Sequence, residues 1–107
     1  GITPVHQFCK VGEHAFVGGG RLVLQDVPPF ILANGEPLQY AGINSVGLTR
    51  RGFDLETRNL IKRAYKLLYR SDSNISQAIV RMKTEIENTK EIKIILDFIE
   101  HSERGLI

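Results

Sequence analysis

Residues 5–23 read VHQFCKVGEHAFVGGGRLV, and four valines in this stretch, Val5, Val11, Val17 and Val23, stand six residues apart. An α-helix repeats its buried positions about every 3.6 residues and an ordinary strand every second residue, so a period of six fits neither. The period is typical of a stacked β-helix, in which each short strand contributes one inward aliphatic side chain per flat side. Valine-rich strands in an ordinary sheet, with period two, are the alternative.

Small residues at the same period mark the corners where the chain bends; they are Thr3, Cys9 and Ala15. Pro28 and Pro29 are expected to end the stack, because proline has no amide hydrogen to donate to a neighbouring coil. Glycines and prolines then alternate with short apolar pieces, which indicates an extended connector with one or two strands. The predicted divisions are terminal hexapeptide coils at 1–29, the connector at 30–52 and a helical domain at 53–107.

Three amphipathic helices are predicted in the last part of the chain. Asp54 is the N-cap of the first. The second starts near Ser73 or Asn74, with Gln77 completing a capping box from Asn74, and the third begins after Thr89 and stops at Gly105. Their apolar stripes give the expected core: Leu60, Ile61, Ala64, Leu67 and Leu68; Ile75, Ile79, Met82 and Ile86; Ile92, Ile95, Leu96 and Ile99.

Composition excludes several classes of function. A formal net charge of +2 over 107 residues is too small for bulk attraction to nucleic acid. The single cysteine, Cys9, cannot form an internal disulfide, which favours a reducing compartment. No apolar run approaches the roughly 18 residues of a membrane span. We therefore expect a soluble, cytoplasmic protein that does not bind nucleic acid. No metal or cofactor is expected either.

Several motifs resemble, in order and over essentially the whole chain, the C-terminal part of acyl-[acyl-carrier-protein]–UDP-N-acetylglucosamine O-acyltransferases. The most specific is Asn-x-x-Gly-Leu-x-Arg-Arg-Gly-Phe at 44–53; the others are Val5-His6-Gln7-Phe8-Cys9, Val17-Gly18-Gly19-Gly20, Gln25-Asp26-Val27-Pro28-Pro29 and Ser102-Glu103-Arg104-Gly105-Leu106-Ile107. The resemblance implies a homotrimer of left-handed parallel β-helices with a C-terminal helical domain. The left hand comes from the resemblance alone, since crossovers between parallel strands are usually right-handed.

The family opens lipid A biosynthesis by moving a 3-hydroxyacyl chain from acyl carrier protein to the 3-hydroxyl of UDP-N-acetylglucosamine. Its general base is a histidine in an upstream coil, and neither His6 nor His14 matches that motif. We therefore expect residues 1–107 alone to be inactive. His14 is expected at the surface or at a contact between subunits.

The resemblance also assigns residues to the substrates. His6 and Gln7 match a pair that lines the groove between adjacent subunits, and Gly19 matches the position that limits the length of the acyl pocket. The positions that contact the nucleotide or the phosphopantetheine phosphate are matched by Asn44, Arg50 and Arg51. Val46 stands where many members carry an acidic residue, and a valine cannot supply that residue's polar contact to the uridine.

The first predicted helix also carries a basic face, formed by Arg58, Lys62, Arg63 and Lys66. Such a face is usually only solvated, but acyl carrier protein is strongly acidic, and the patch would steer it toward the groove. Two alternatives stay open. One is a non-catalytic module that trimerises and binds the carrier; the other is a different hexapeptide acyltransferase, such as the related N-acyltransferase, which the Arg-Arg-Gly-Phe stretch does not suit.

Overall fold

A computed structural model describes residues 9–18 and 23–107. Over these ranges the chain forms three short strands and four helices. They are β1 (Phe16–Val17), β2 (Ile31–Asn34), β3 (Gln39–Ile43), α1 (Ser45–Arg50), α2 (Leu55–Tyr69), α3 (Ile75–Glu85) and α4 (Lys90–Glu100). The strands make one sheet in the order β1-β2-β3, with β1 parallel to β2 and β2 antiparallel to β3. None of the helices in the described ranges is both long and apolar enough to cross a membrane.

Successive turns of the chain stack in parallel at the start of the described part. Val11 forms a parallel bridge with Val27, and β1 pairs with β2 in the same direction. This parallel stacking is what the six-residue period predicts, over the short part of the repeat that the structure describes. The left hand of the β-helix stays a prediction from the resemblance.

The prediction that Pro28 and Pro29 end the stack is wrong. The amides on either side of the prolines make the inter-coil hydrogen bonds instead: Val27 N–H donates to the Lys10 carbonyl at 2.8 Å and Phe30 N–H to the Glu13 carbonyl at 2.9 Å. Two prolines therefore fit at a corner, because no donor is needed there, and parallel pairing continues into β2.

The four valines differ in their burial. Val23 is fully buried and Val17 partly buried, whereas Val11 is 42% exposed, contrary to its predicted inward position. Val11 has a described bridge on one side only, to Val27, so less of it is covered. Val5 lies outside the described residues.

The three predicted helices begin where their capping residues indicate. The Asp54 carboxylate accepts from the Thr57 amide at 2.8 Å, Asn74 and Gln77 form both bonds of the capping box, and the Thr89 hydroxyl accepts from the Ile92 amide. The last helix ends at Glu100, before Gly105. A fourth helix, α1, lies in the predicted connector beside its two strands and was not predicted.

The helical core follows the predicted stripes with one exception. All four α4 positions are buried, as are Ile61, Ala64 and Leu68 on α2 and Met82 on α3. Ile75 is 48% exposed, so its predicted burial is wrong. It is the first residue of α3, and helical side chains point back toward the N-terminus, so Ile75 reaches beyond the packed part.

Tyrosines join the helices to the sheet and the coil. Tyr40 on β3 stacks on Tyr69 with ring centroids 4.5 Å apart. Tyr65 is fully buried, and its hydroxyl donates to the Pro29 carbonyl at 2.6 Å. Burial raises the pKa of Tyr65 well above its usual range, so the hydroxyl stays a donor at neutral pH. These contacts fix α2 against the turn of chain that leads into β2.

Candidate functional site

Asn44 fixes the start of the short helix that carries the predicted arginine pair. Its main-chain N–H donates to the Phe30 carbonyl at 2.7 Å, and its side-chain Nδ2 donates to the His14 carbonyl at 3.0 Å. Its Oδ1 accepts from the Gly47 amide at 3.2 Å, which makes Asn44 the N-cap of α1. Asn44 therefore ties α1 to two stacked turns of the coil.

Gly47 is required by the same arrangement. A Cβ at this position would lie 2.5 Å from Asn44 Nδ2, far closer than van der Waals contact allows. Any side chain at Gly47 would displace the Asn44 amide from its two partners. The glycine in the Asn-x-x-Gly motif thus serves the cap.

The predicted arginine pair lies at the other end of α1. Arg50 is its last residue and Arg51 its C-cap, and a six-residue helix is about 9 Å long, so the pair stands roughly that far from Asn44. Both side chains are exposed, and neither makes a hydrogen bond or ion pair with any described residue. Cations at a helix C-terminus also complement the helix dipole. Two uncommitted guanidinium forks are nevertheless available to phosphate oxygens.

An aromatic cluster of His14, Phe30 and Phe53 lies next to α1. The His14 ring stacks on Phe30 with centroids 5.9 Å apart and meets the edge of Phe53 at 5.2 Å. Phe30 is fully buried and only 22% of the His14 side chain is exposed. Both residues have a positive φ, 56° for His14 and 71° for Phe30, which is uncommon for residues with large side chains.

Sequence reasoning missed the role of His14, because a lone histidine in a repeat looks like a surface residue. The sequence does contain a signal for the position of His14, namely its spacing from Phe30. The parallel bridge pairs Val11 with Val27, and the same offset pairs His14 with Phe30. Two aromatic residues at that offset predict a stacked pair once the register is known.

Three of the predicted substrate residues, His6, Gln7 and Gly19, lie outside the described residues. Their roles stay predictions. Val46, which replaces an acidic residue of many relatives, is 64% exposed on α1.

The predicted basic face divides into two parts. Arg63 and Lys66 line a cleft of about 280 Å³ between α2 and α3, together with Arg70 and Arg81, which sequence reasoning did not include. Arg58 and Lys62 do not line it; Arg58 Nε donates to the Asp54 carbonyl at 3.3 Å, and Lys62 is exposed. We call the lined groove the α2–α3 cleft.

The α2–α3 cleft has four cations and one carboxylate among its lining residues. The carboxylate, Glu85, pairs with Arg81, with Nε and Oε2 2.7 Å apart. The hydrogen bond and charge of Arg81 lower the pKa of Glu85, and Glu85 raises the pKa of Arg81 in return. Neither Lys66 nor Arg70 has an ion pair with any described residue, and the Arg70 guanidinium lies 6.0 Å from the centre of the Tyr40 ring. The cleft is therefore suited to an anionic partner.

Residues 26–107 match the protein-family model described as Udp N-acetylglucosamine O-acyltransferase, domain 2. Among curated relatives, the acyl-[acyl-carrier-protein]–UDP-N-acetylglucosamine O-acyltransferase of Aliivibrio salmonicida is 48% identical over 99% of this chain, and that of Thiobacillus denitrificans is 44% identical over all of it. The chain spans 40% and 42% of the lengths of these two proteins.

Solved structures agree with the sequence comparison. A UDP-N-acetylglucosamine acyltransferase from Bacteroides fragilis superposes with a TM-score of 0.96 at 44% identity, over 98% of this chain and 41% of that one. The Acinetobacter baumannii structure gives a TM-score of 0.91 at 38% identity, with the same coverage.

Proposed function

The chain belongs to the UDP-N-acetylglucosamine O-acyltransferase family, and we propose that it is the C-terminal part of an enzyme that acylates the 3-hydroxyl of UDP-N-acetylglucosamine. The donor is a 3-hydroxyacyl thioester of acyl carrier protein, and the product enters lipid A biosynthesis. The enzyme is a homotrimer whose subunits meet along left-handed parallel β-helices.

In this reaction a histidine outside residues 1–107 removes the proton of the sugar hydroxyl. The alkoxide attacks the thioester carbonyl, an ester bond forms, and the carrier's thiolate leaves and takes up a proton. His6 and Gln7 line the groove and hydrogen-bond the sugar or the acyl hydroxyl. Gly19 leaves the far end of the groove open to a long acyl chain.

Arg50 and Arg51 bind the phosphates of the nucleotide or of the phosphopantetheine arm. The observation that carries this assignment is the pair of exposed guanidinium groups, uncommitted to any described residue, on a helix fixed to the coil by Asn44. Arginine forks match phosphate oxygens through parallel hydrogen bonds. The Asn44 side chain keeps one Nδ2 hydrogen and one Oδ1 lone pair for the ligand, since the other hydrogen bonds the His14 carbonyl and the other lone pair accepts from the Gly47 amide.

The test is calorimetric titration of UDP-N-acetylglucosamine into the full-length protein, comparing wild type with Arg50→Ala and Arg51→Ala. Loss of hydrogen bonds to a charged group costs about 1.5–3 kcal/mol, so at least one variant should bind roughly 10- to 100-fold more weakly. Lys93→Ala, an exposed cation on α4, is the matched control and should bind as wild type does. Wild-type affinity in both arginine variants would show that the pair does not bind the nucleotide. If the KM for the carrier substrate were unchanged as well, the assignment of the pair to phosphate binding would be refuted.

The alternative function, a non-catalytic module that binds the carrier, is favoured by one observation, the cationic α2–α3 cleft. The same titration separates the two functions. A pure docking module has no nucleotide site, so it would bind acyl carrier protein but not UDP-N-acetylglucosamine.

A further inference from the structure

We propose that His14 is a positioning residue for the arginine pair, because it holds helix α1 at both of its ends. The inference rests on the proposed function of Arg50 and Arg51. It assigns His14 no contact with substrate; its effect passes through Asn44 and Phe53.

At the N-terminal end, the contact is made by the main chain. The His14 carbonyl accepts the Nδ2 hydrogen of Asn44 at 3.0 Å, while the other side-chain atom of Asn44 caps α1 through the Gly47 amide. The direction of that carbonyl depends on the left-handed conformation of His14, with φ at 56°. A change in this conformation would therefore move the cap.

At the C-terminal end, the contact is made by the ring. The imidazole meets the edge of Phe53 with centroids 5.2 Å apart. The Phe53 amide donates to the Leu48 carbonyl at 3.0 Å, so Phe53, two residues after Arg51, closes the last turn of α1. Phe30 contacts the same two ends, since its carbonyl accepts from the Asn44 amide and its ring centroid lies 5.8 Å from that of Phe53. His14 and Phe30 together therefore orient a helix of only six residues.

His14 is itself held by the neighbouring coil. Its ring stacks on the fully buried Phe30, and the amide of Phe30 donates to the Glu13 carbonyl at 2.9 Å. A non-glycine residue with positive φ persists only where its surroundings enforce the conformation. His14 and Phe30 both have a positive φ, and both carbonyls bond Asn44. We infer that their strained backbone conformation is kept because it positions α1.

The experiment uses the full-length protein and steady-state kinetics, with UDP-N-acetylglucosamine and the acylated carrier protein varied in turn. The KM that is compared is that of the substrate whose binding the arginine variants weaken. His14→Asn tolerates positive φ and keeps the carbonyl but removes the ring. Misplacement of a binding group by about 1 Å can cost up to about 100-fold, so we expect the KM to rise about tenfold while kcat changes by less than about twofold. His14→Phe keeps an aromatic ring and should return the KM to within about threefold of wild type.

Gly47→Ala provides a second, independent variant, since its Cβ would displace the Asn44 amide. It should raise the KM in the same way, and hydrogen exchange of the amides at 47–53 should become faster in both variants. Met82→Ala, a core truncation on α3, controls for general loss of stability and should leave the KM unchanged.

A folded His14→Asn protein with wild-type KM would overturn the proposal, as would an equal rise of the KM in Met82→Ala. If His14→Asn does not fold, wild-type KM and exchange in Gly47→Ala would overturn it instead. The arginine variants in the same assay keep the two inferences apart. If Arg50→Ala and Arg51→Ala leave substrate binding unchanged, the proposed function fails; if they weaken binding and His14→Asn does not, only the positioning role fails.

Discussion

At the scale of single residues, Asp26 is the buried polar group on which the end of the chain depends. It is fully buried; its carboxylate accepts from the Lys10 amide at 2.7 Å and from the Ser102 hydroxyl at 2.5 Å. Its main chain pairs in parallel with the tail: its N–H donates to the Gly105 carbonyl at 2.8 Å, and its carbonyl accepts from the Ile107 amide at 3.1 Å. Asp26 therefore joins the coil to the segment that follows α4.

Replacing Asp26 by alanine should lower the free energy of unfolding by about 3 kcal/mol, because two hydrogen bonds to a buried carboxylate are lost. Ser102→Ala should cost about 1–2 kcal/mol, and the double variant should cost less than the sum, since both changes remove the same bond. Chemical denaturation measures all three. Asp72→Ala, an exposed carboxylate, is the control and should change stability by less than about 0.5 kcal/mol. Strict additivity would show that the two side chains do not interact.

At the scale of elements, sequence reasoning predicted what local chemistry decides. The capping residues Asp54, Asn74 and Thr89 place the starts of α2, α3 and α4, since each cap needs only residues within one turn. Helix α1 was missed because it is short and contains Gly47 and the β-branched Val46, both poor helix formers. Its stability comes from Asn44 bonds to His14 and Phe30, and such distant partners are invisible in one sequence.

In the candidate site, too, features set by local sequence were predictable and features that depend on distant contacts were not. Motif resemblance predicted Arg50 and Arg51 as phosphate-binding residues. The structure leaves both guanidinium groups exposed, and their role stays a prediction. The basic face was predicted from α2 alone, so Arg81 of α3 was not included; Arg70, the C-cap of α2, was also left out. Which cations meet in a cleft depends on the packing of α2 against α3, and helical spacing on one element does not contain that information.

The α2–α3 cleft gives a prediction about the carrier. Lys66→Glu should raise the KM for acyl carrier protein about tenfold at low salt, because it puts a negative charge in the cleft that we propose to receive the acidic carrier. The difference from wild type should shrink as ionic strength rises, since surface charges are screened over about 8 Å at 0.15 M. Lys93→Glu on α4 makes the same charge change outside the cleft. An equal effect of both reversals would show that net charge, and not the cleft, matters.

At the scale of the whole molecule, the stacked coil exposes three large apolar side chains. Val11, Phe16 and Leu24 are 42%, 59% and 54% exposed. The subunit interface along the coil that the family resemblance implies would cover these side chains, and closed rotational symmetry would cover them equally in every subunit. The number of subunits, three, comes from the family resemblance.

We therefore expect a trimer in solution, measured by light scattering coupled to gel filtration. Phe16→Glu should weaken the assembly because it would bury a charge at the interface. Val80→Glu, on the equally exposed face of α3, should leave the mass unchanged. A monomeric mass for wild type at high concentration would contradict the assembly.

The acyl transfer itself is tested most directly by the product. The full-length protein is incubated with a 3-hydroxyacyl carrier protein and UDP-N-acetylglucosamine, and the acylated sugar nucleotide is identified by mass spectrometry and NMR. The account predicts an ester at the 3-hydroxyl of the glucosamine ring, formed more slowly at limiting substrate by at least one of the Arg50→Ala and Arg51→Ala variants. An amide product, or no acylated nucleotide from a folded protein, would contradict it.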